Sequence, residues 1–420
     1  MKSFPYDAVV VGARCAGAST ALLLAREGLR VLLVGRAPPG SDTLSTHALM
    51  RGGVLQLHRW GVLPGIAAVT PTVRLTTFHY ADEAIAVPIQ PRDGVDGLYA
   101  PRRTVLDVAL VDAARAARAE VAFGAAVIDL VRDGRGRVAG VVLEGEDGTR
   151  SAVTARLVIG ADGLHSRVAS LAGARVERAG RHAAAVVYGH WSGLEVEGYH
   201  WHYRPGVSAG AIPTNDGRTC VFAAVPRGRF TEELRGGLQG LYARTLAEAA
   251  PEHAAAIRGA RLDGKLRPFA GTPGFMRRPW GPGWALVGDA GCFRDPITAH
   301  GITDALRDAE LLARAVVSGT DAALAEYQAA RDDACAGIFA LSDAVASFDW
   351  TLDRVKELHL ELAREMAREV EMVRRLGPIA PKTRRPPSAT RPAASATHQR
   401  LDPISSSPAS APPPARPGSR

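Results

Sequence analysis

Cysteine is scarce in this chain: four residues in 420, at Cys15, Cys220, Cys292 and Cys335. They stand far apart with no paired spacing. That excludes a disulfide framework and fits reduced thiols in a cytoplasm. A long apolar run is missing too. Nothing approaches the roughly 18 apolar residues of a membrane-spanning helix, so no span is expected. Only six residues precede Asp7 and the first strand-like run. A charged start, an apolar core and a cleavage site do not fit there, so no signal peptide is expected and the expected location is cytoplasmic.

Acidic residues are scarce at the C-terminal end. The formal charge is +8, but from Gly377 onward seven basic residues face one acidic residue, which places +6 in the tail and leaves +2 for the body. A near-neutral body has no electrostatic footprint for a phosphate backbone, so no nucleic-acid partner is expected. The tail itself is rich in Pro, Ser, Ala and Arg and poor in large apolar residues. It cannot bury enough surface to offset ordering entropy and reads as disordered. Just before it, Val355, Leu358, Leu362, Met366, Val370 and Val373 recur at three- and four-residue steps. This predicts a helix over Asp353 to Leu376 that docks on the body or joins a dimer; the chain is read as a monomer or homodimer.

What is present begins with "VVVGARCAGASTALLLAREG", Val9 to Gly28. Residues 7–12, 17–27 and 30–34 read strand, helix, strand. Gly12 ends the strand, where a tight turn favours a residue without a β-carbon, and Gly17 lets the helix pack close to the sheet. The helix start offers free N–H groups and a positive dipole end to a phosphate. Arg14 stands where the Gly-x-Gly-x-x-Gly fingerprint has its middle glycine. Its guanidinium can swing outward or lie along a phosphate. The second strand ends in Gly35 rather than an acidic residue, followed by Arg36. That departure suits a 2′-phosphate, as in NADP, or loses one hydrogen bond to FAD. This loop alone does not distinguish the two.

Further along, strand-like runs near 126–131, 138–143 and 152–159 surround two Asp-Gly turns and predict a meander. "DGRGRVAG" leads into a strand and reads as a hairpin turn, not a nucleotide loop. Aromatic and apolar strand signals dominate 183–226, and a smaller set lies in "VRLTTFHY" and "AIAVPI". The two insertions are expected to share one sheet.

Three motifs then point to a cofactor. "WALVGDAGCFRDPITAHGITDALRDAELLA" carries Gly288, Asp289 and Pro296 ahead of a helix opened by Gly301. "LVIGADGLHSRVA" carries Asp162 and Gly163, and "RRTVLDVAL" carries Arg103, Leu106 and Leu110. In this order they resemble the family of flavoprotein monooxygenases with a p-hydroxybenzoate hydroxylase-like fold, over roughly residues 7–345. The resemblance implies an α/β fold: a Rossmann-like FAD-binding domain with an inserted, mainly antiparallel substrate sheet, C-terminal helices and a tail. It implies non-covalent FAD, with Asp289 on the ribityl chain, Arg103 touching the cofactor and the N–H groups of Gly301, Ile302 and Thr303 facing flavin N1 and the C2 carbonyl. A helix N-terminus suits the anionic reduced ring. The Asp162-Gly163 motif is associated with both FAD and NADPH. Arg167-Val168 reverses the family's usual Val-Arg pair.

No second glycine-rich strand-turn-helix follows, which argues against flavin disulfide reductases and for a transiently bound NAD(P)H. The resemblance implies that hydride reduces the flavin, O₂ adds at C4a, and an aromatic or polyketide-like molecule is hydroxylated or epoxidised. Alternatives are reduction or dehydrogenation of isoprenoid-like bonds, halogenation, and flavin binding without turnover. "SAGAIP" has the Ile-Pro of the halogenase motif without its tryptophans. His300, before the flavin-facing helix, either donates to flavin or substrate or caps and packs; His47 in "DTLSTH" is placed near the flavin. In "YHWHYR", Tyr199, Trp201 and Tyr203 share one face, as cavity lining or core, and His200 and His202 share the other. No third and fourth ligand is apparent beside those histidines, so no metal is expected. The expected division gives 1–70, 96–182 and 271–345 to the FAD-binding domain, 71–95 and 183–270 to the substrate domain, 346–376 to a C-terminal helix and 377–420 to the tail.

Overall fold

The computed structural model describes residues 4–377. The tail expected to be disordered lies, from residue 378 on, outside the described residues. The apolar run at the start forms β1 (Tyr6–Val11), the small-residue helix α1 (Cys15–Arg26) follows, and β2 (Val31–Gly35) is buried at every position. The two strands pair in parallel, as a strand-helix-strand crossover requires. Helices α2 (Arg51–Arg59) and α3 (Leu63–Ala67) lead to a hairpin of β3 (Leu75–Tyr80) and β4 (Glu83–Pro88), the latter exposed throughout.

Helix α4 (Arg103–Ala116) returns the chain to β5 (Glu120–Phe123), parallel to β2. The expected meander is β6 (Ala125–Arg132), β7 (Val138–Gly145) and β8 (Arg150–Gly160). Asp133 closes its first turn by accepting hydrogen bonds from the N–H groups of Arg135 and Arg137. The long β8 outruns the meander, and its second half pairs in parallel with β1.

After α5 (Arg167–Ala172) and β9 (Val176–Ala179), the second insertion supplies β10 (Ala184–Ser192), β11 (Tyr199–Arg204), β12 (Val207–Pro213) and β13 (Arg218–Pro226). Helices α6 (Arg227–Glu233), α7 (Leu238–Ala249) and α8 (Pro251–Ala256) precede β14 (Arg261–Phe269). Both insertions share one seven-stranded sheet, in the order β14-β10-β13-β12-β11-β3-β4. All of its pairings are antiparallel except β11–β3, where the insertions meet. One face buries Val187, Val221 and Ala223 with Leu241 and Leu246 of α7. The other presents Tyr199, Trp201, Tyr203 and Phe222 to the main core.

The chain then forms β15 (Phe275–Arg277), β16 (Trp280–Gly281), β17 (Trp284–Leu286) and β18 (Cys292–Phe293). Strand β17 rejoins β8 in parallel, which completes the order β16-β17-β8-β1-β2-β5, while β18-β15-β9 forms a small third sheet. Helices α9 (Gly301–Ser318), α10 (Asp321–Val345) and α11 (Leu352–Arg375) finish the described chain. The apolar stripe of α11 lies against the body, with Val355, Leu358, Leu362 and Val373 buried. No described helix is long and apolar enough to cross a membrane.

Candidate active site

Strands β17, β8, β1 and β2 lie side by side and run parallel, so the loops that leave their C-terminal ends share one rim. That rim gathers three sequence motifs, at a position where α/β sheets bind ligands. Gly12 leaves β1 with φ +109°, and a β-carbon there would stand 2.3 Å from the carbonyl oxygen of Ala161, beside Asp162. A β-carbon on Gly17 would stand 1.8 Å from the oxygen of Gly12. Close backbone approach therefore requires both glycines. Gly288, at φ +61°, brings the third motif against Ala16 of α1.

Arg14 sits at the start of α1 and turns across the rim. Its guanidinium reaches the carbonyls of Ser41 and Asp42 at 3.5 Å and Asp107 at 3.5 Å. Arg103 is buried below it, with Nε and Nη2 on one oxygen of Asp107 at 3.1 and 2.8 Å and Nη2 3.4 Å from the thiol of Cys15. Arg36 is exposed at the end of β2. Gly35 has a packing reason that its sequence position concealed: a β-carbon there would meet Phe123 at 2.7 Å and Ala13 at 2.8 Å.

The Asp162-Gly163 motif builds a local cap. Asp162 accepts hydrogen bonds from the hydroxyl of Ser166 (2.6 Å) and the N–H groups of Arg167 (2.6 Å) and Val168 (3.1 Å), and Ser166 caps α5 through Ala169 N–H. Gly163 takes φ +79°, which favours glycine. Asp289 differs. Its carboxylate makes no hydrogen bond to another described residue, and an oxygen lies 4.0 Å from where a β-carbon of Gly301 would stand. Burial first, then the negative charge of Asp304, pushes its carboxyl up to about 6. Pro296 opens a single turn capped by Asp295, which also holds Ala184 N–H at 2.6 Å.

Helix α9 points its N-terminus at this rim. Gly301 is exposed there, Ile302 and Thr303 are buried, and Thr303 Oγ1 accepts a hydrogen bond from Met50 N–H at 3.3 Å. His300 precedes the helix and is buried, its Nε2 2.6 Å from Oε2 of Glu369 on α11. The other Glu369 oxygen takes Arg307 Nη1 at 2.6 Å. Arg307 also binds Asp304 and Asp308 at 2.7 Å and the Cys335 thiol at 2.9 Å. Burial favours neutral Glu369, but His300 and Arg307 prevail and hold its carboxyl down at about 2.

His47 is buried in a left-handed backbone conformation, φ +71°, and its Nε2 lies 2.9 Å from Nε2 of His190 on β10. Burial drives both rings toward the neutral form, His190 down to about 4 and His47 well below its usual range. Nearby Arg102 and Arg267 add to this. Asp42 receives those two arginines, each at 2.9 Å. Tyr188 accepts a hydrogen bond from Ser45 N–H at 3.1 Å and meets the His190 ring edge-on. Glu369, His190 and Tyr188 escaped the sequence reading. All four cysteines are free and buried.

The model for the FAD binding domain family matches residues 5–340. The chain belongs to that family. Within the family it is 30% identical over 321 residues to digeranylgeranylglycerophospholipid reductase 1 of Methanopyrus kandleri, a span covering 72% of this chain and 77% of that protein. The flavin-dependent brominase Bmp2 superposes with a TM-score of 0.71 at 18% identity, covering 88% of this chain and 97% of the brominase. The p-nitrophenol 4-monooxygenase PnpA of Pseudomonas putida DLL-E4 superposes equally well, TM-score 0.71 at 18% identity, covering 89% and 97%. At these identities the two structures show the fold alone. The chain is thus of the FAD-dependent oxidoreductase family. The residues present fit FAD: a backbone cradle closed to side chains at Gly12 and Gly17, a carboxylate without a partner at Asp289, and a helix N-terminus opposite it.

Proposed function

We propose that the protein is an FAD-dependent, NAD(P)H-using monooxygenase acting on an aromatic or polyketide-like small molecule. The Gly12–Gly17 loop and the start of α1 would take the pyrophosphate, with Arg14 at its edge. Asp289 would accept from the ribityl hydroxyls, and Gly301, Ile302 and Thr303 would turn their N–H groups to the pyrimidine edge of the flavin. Bound FAD supplies the hydride acceptor and the centre that activates oxygen.

The observation that carries the reading is the buried, uncharged His47–His190 pair on the aromatic side of the substrate sheet. Tyr188, beside the pair, belongs to the same apolar cluster as Tyr199 and Trp201. Such a wall excludes water, which is what an oxygen transfer must do to avoid losing oxidant to solvent. One ring of the pair donates an N–H to the other. Nδ1 of His47 is buried and has no partner among the described residues, so it is the atom that would exchange a hydrogen bond with a substrate hydroxyl. His300 would position the start of α9 through Glu369.

A second reading, reduction of an isoprenoid-like double bond, is favoured by the match to the digeranylgeranylglycerophospholipid reductase over 77% of its length. One experiment separates the two. Candidate substrates are screened for stimulation of NAD(P)H oxidation by the purified yellow protein, and hits are run under oxygen-18. One labelled oxygen in the product supports the monooxygenase. A hydrogenated product formed at full rate without oxygen establishes the reductase instead.

A further inference from the structure

The histidines of "YHWHYR" find partners that neighbouring sequence did not show. His202 on β11 is in register with His79 on β3, and their rings stack at 4.0 Å between centroids and 7° between planes. His200, two residues earlier, brings Nδ1 to 3.0 Å from Nε2 of His79. From α8, Glu252 places Oε1 3.3 Å from Nδ1 of His202, and His253 sets its ring 4.8 Å from that of His202. Ligand atoms of His79, His200 and His202 lie within 4.8 Å of one another, and so do those of His202, Glu252 and His253.

Hydrogen bonding accounts for the His79–His200 contact but not for the rest of the cluster. Nε2 of His202 and Nε2 of His253 are buried with no partner among the described residues, and the two side chains belong to residues only 2% and 9% exposed. Two buried imidazole nitrogens left unpaired beside two more imidazoles make a donor set without its acceptor. The carbonyl of Glu197 lies 3.1 Å from Nε2 of His200. It keeps the proton on that nitrogen and leaves Nδ1 with a lone pair turned into the cluster, the way ligating histidines are held in one tautomer. Adjacent nitrogens on one tetrahedral zinc are about 3.3 Å apart, given Zn–N bonds near 2.0–2.1 Å. The His79–His200 hydrogen bond, at 3.0 Å, is close enough for an ion to replace its proton.

We propose that these two trios, which share His202, form a site for one divalent transition metal of the zinc class, with His202 and His253 as imidazole ligands, His79 or His200 adding a third, and Glu252 at the rim. Imidazole nitrogens with at most one carboxylate select such an ion over magnesium or calcium, which take oxygen ligands. The site lies on the face of β11 opposite Tyr199, Trp201 and Tyr203 and so outside the candidate active site. It ties three pieces of chain that meet only in the folded state: β3 of the first insertion, and β11 and α8 of the second. Its role is to fasten the substrate sheet, independently of what the flavin does.

The test uses the full-length, flavin-loaded protein without a histidine tag, stripped with chelator and titrated with zinc chloride. One equivalent is expected to bind and to raise the melting temperature. His202→Ala and His253→Ala should each weaken binding about tenfold or more, while His165→Gln, an exposed histidine elsewhere, should match the wild type. Flavin content reports whether each variant is folded. Cobalt(II) bound to the wild type should give the intense visible bands of a tetrahedral site, a readout that needs no variant. Binding undiminished in His202→Ala and His253→Ala, no binding to the wild type, or the pale spectrum of octahedral cobalt would overturn the assignment.

Discussion

His300 and Glu369 meet at 2.6 Å, and each side chain is only 1% exposed. Through this contact the C-terminal helix α11 reaches the residue that starts α9. Glu369 also pairs with the fully buried Arg307, and removing one partner of a buried ion pair costs about 3–5 kcal/mol. Glu369→Gln is expected to destabilise the protein on that scale and to lower flavin retention. The pH dependence has a definite sign. The folded carboxyl is held at about 2 against an ordinary 4.5, so its stabilisation is present above about 4.5 and is lost as pH falls toward 2. The advantage of wild type over Glu369→Gln in denaturant melts should shrink across that window.

Asp289→Ala should fold and purify with much less FAD, measured as the ratio of flavin to protein absorbance. Wild-type flavin content would remove Asp289 from the cofactor site. In the flavin-free protein the carboxyl is pushed up to about 6 from an ordinary 3.8. Its charge therefore destabilises the fold as pH rises through 6, and that penalty is absent below about 3.8. The flavin-free wild type should lose melting temperature from pH 4 to 7 relative to Asp289→Asn.

Arg14→Gly should leave FAD affinity within about tenfold of wild type, the scale of one charged hydrogen bond. Its guanidinium already meets the Ser41 and Asp42 carbonyls and Asp107. Titration of flavin-free protein by fluorescence quenching measures this. A much larger loss would make Arg14 a principal phosphate ligand.

Gly35→Asp would restore the acidic residue that the dinucleotide fingerprint carries at this point. It is expected to fail. The new β-carbon would stand 2.7 Å from Phe123 and 2.8 Å from Ala13, an overpacking worth about 1–3 kcal/mol of lost stability. Denaturant unfolding should show the loss with no gain in FAD affinity; a tighter FAD complex would refute the packing account.

The parts read correctly from sequence were those with local signals. β1, α1 and β2 follow from apolar runs and two glycines, and the meander and its "DGRGRVAG" turn follow from alternation and Asp-Gly pairs. The shared sheet of the two insertions was legible from strand composition, but the parallel β3–β11 junction was not. The site was legible as motifs in order and illegible as pairs. His47 and His190 are 143 residues apart, and nothing in either neighbourhood announces the other. Glu369 sits on a helix whose apolar stripe was the visible pattern, so its inward carboxylate looked like surface. Asp162 stands in a cofactor motif in sequence, and in the fold its carboxylate also caps α5, which the motif did not announce. The histidines of β11 lacked partners in sequence because those partners come from β3 and α8.

The parallel seam between β3 and β11 also has a consequence for how the chain is made. His79 and His200, which meet across it, are separated by 121 positions. On the ribosome the β3–β4 hairpin emerges first and waits with one long edge unpaired while the meander and β10 are synthesised. A hairpin alone is marginal in water, and an open edge recruits other chains. Such distant pairing closes late, after a large entropic loop, so the substrate sheet forms as one of the slow events of folding. Chaperone demand and expression yield should therefore respond to changes in β3 and β4 more than to equal changes in β7, whose partners β6 and β8 flank it in sequence.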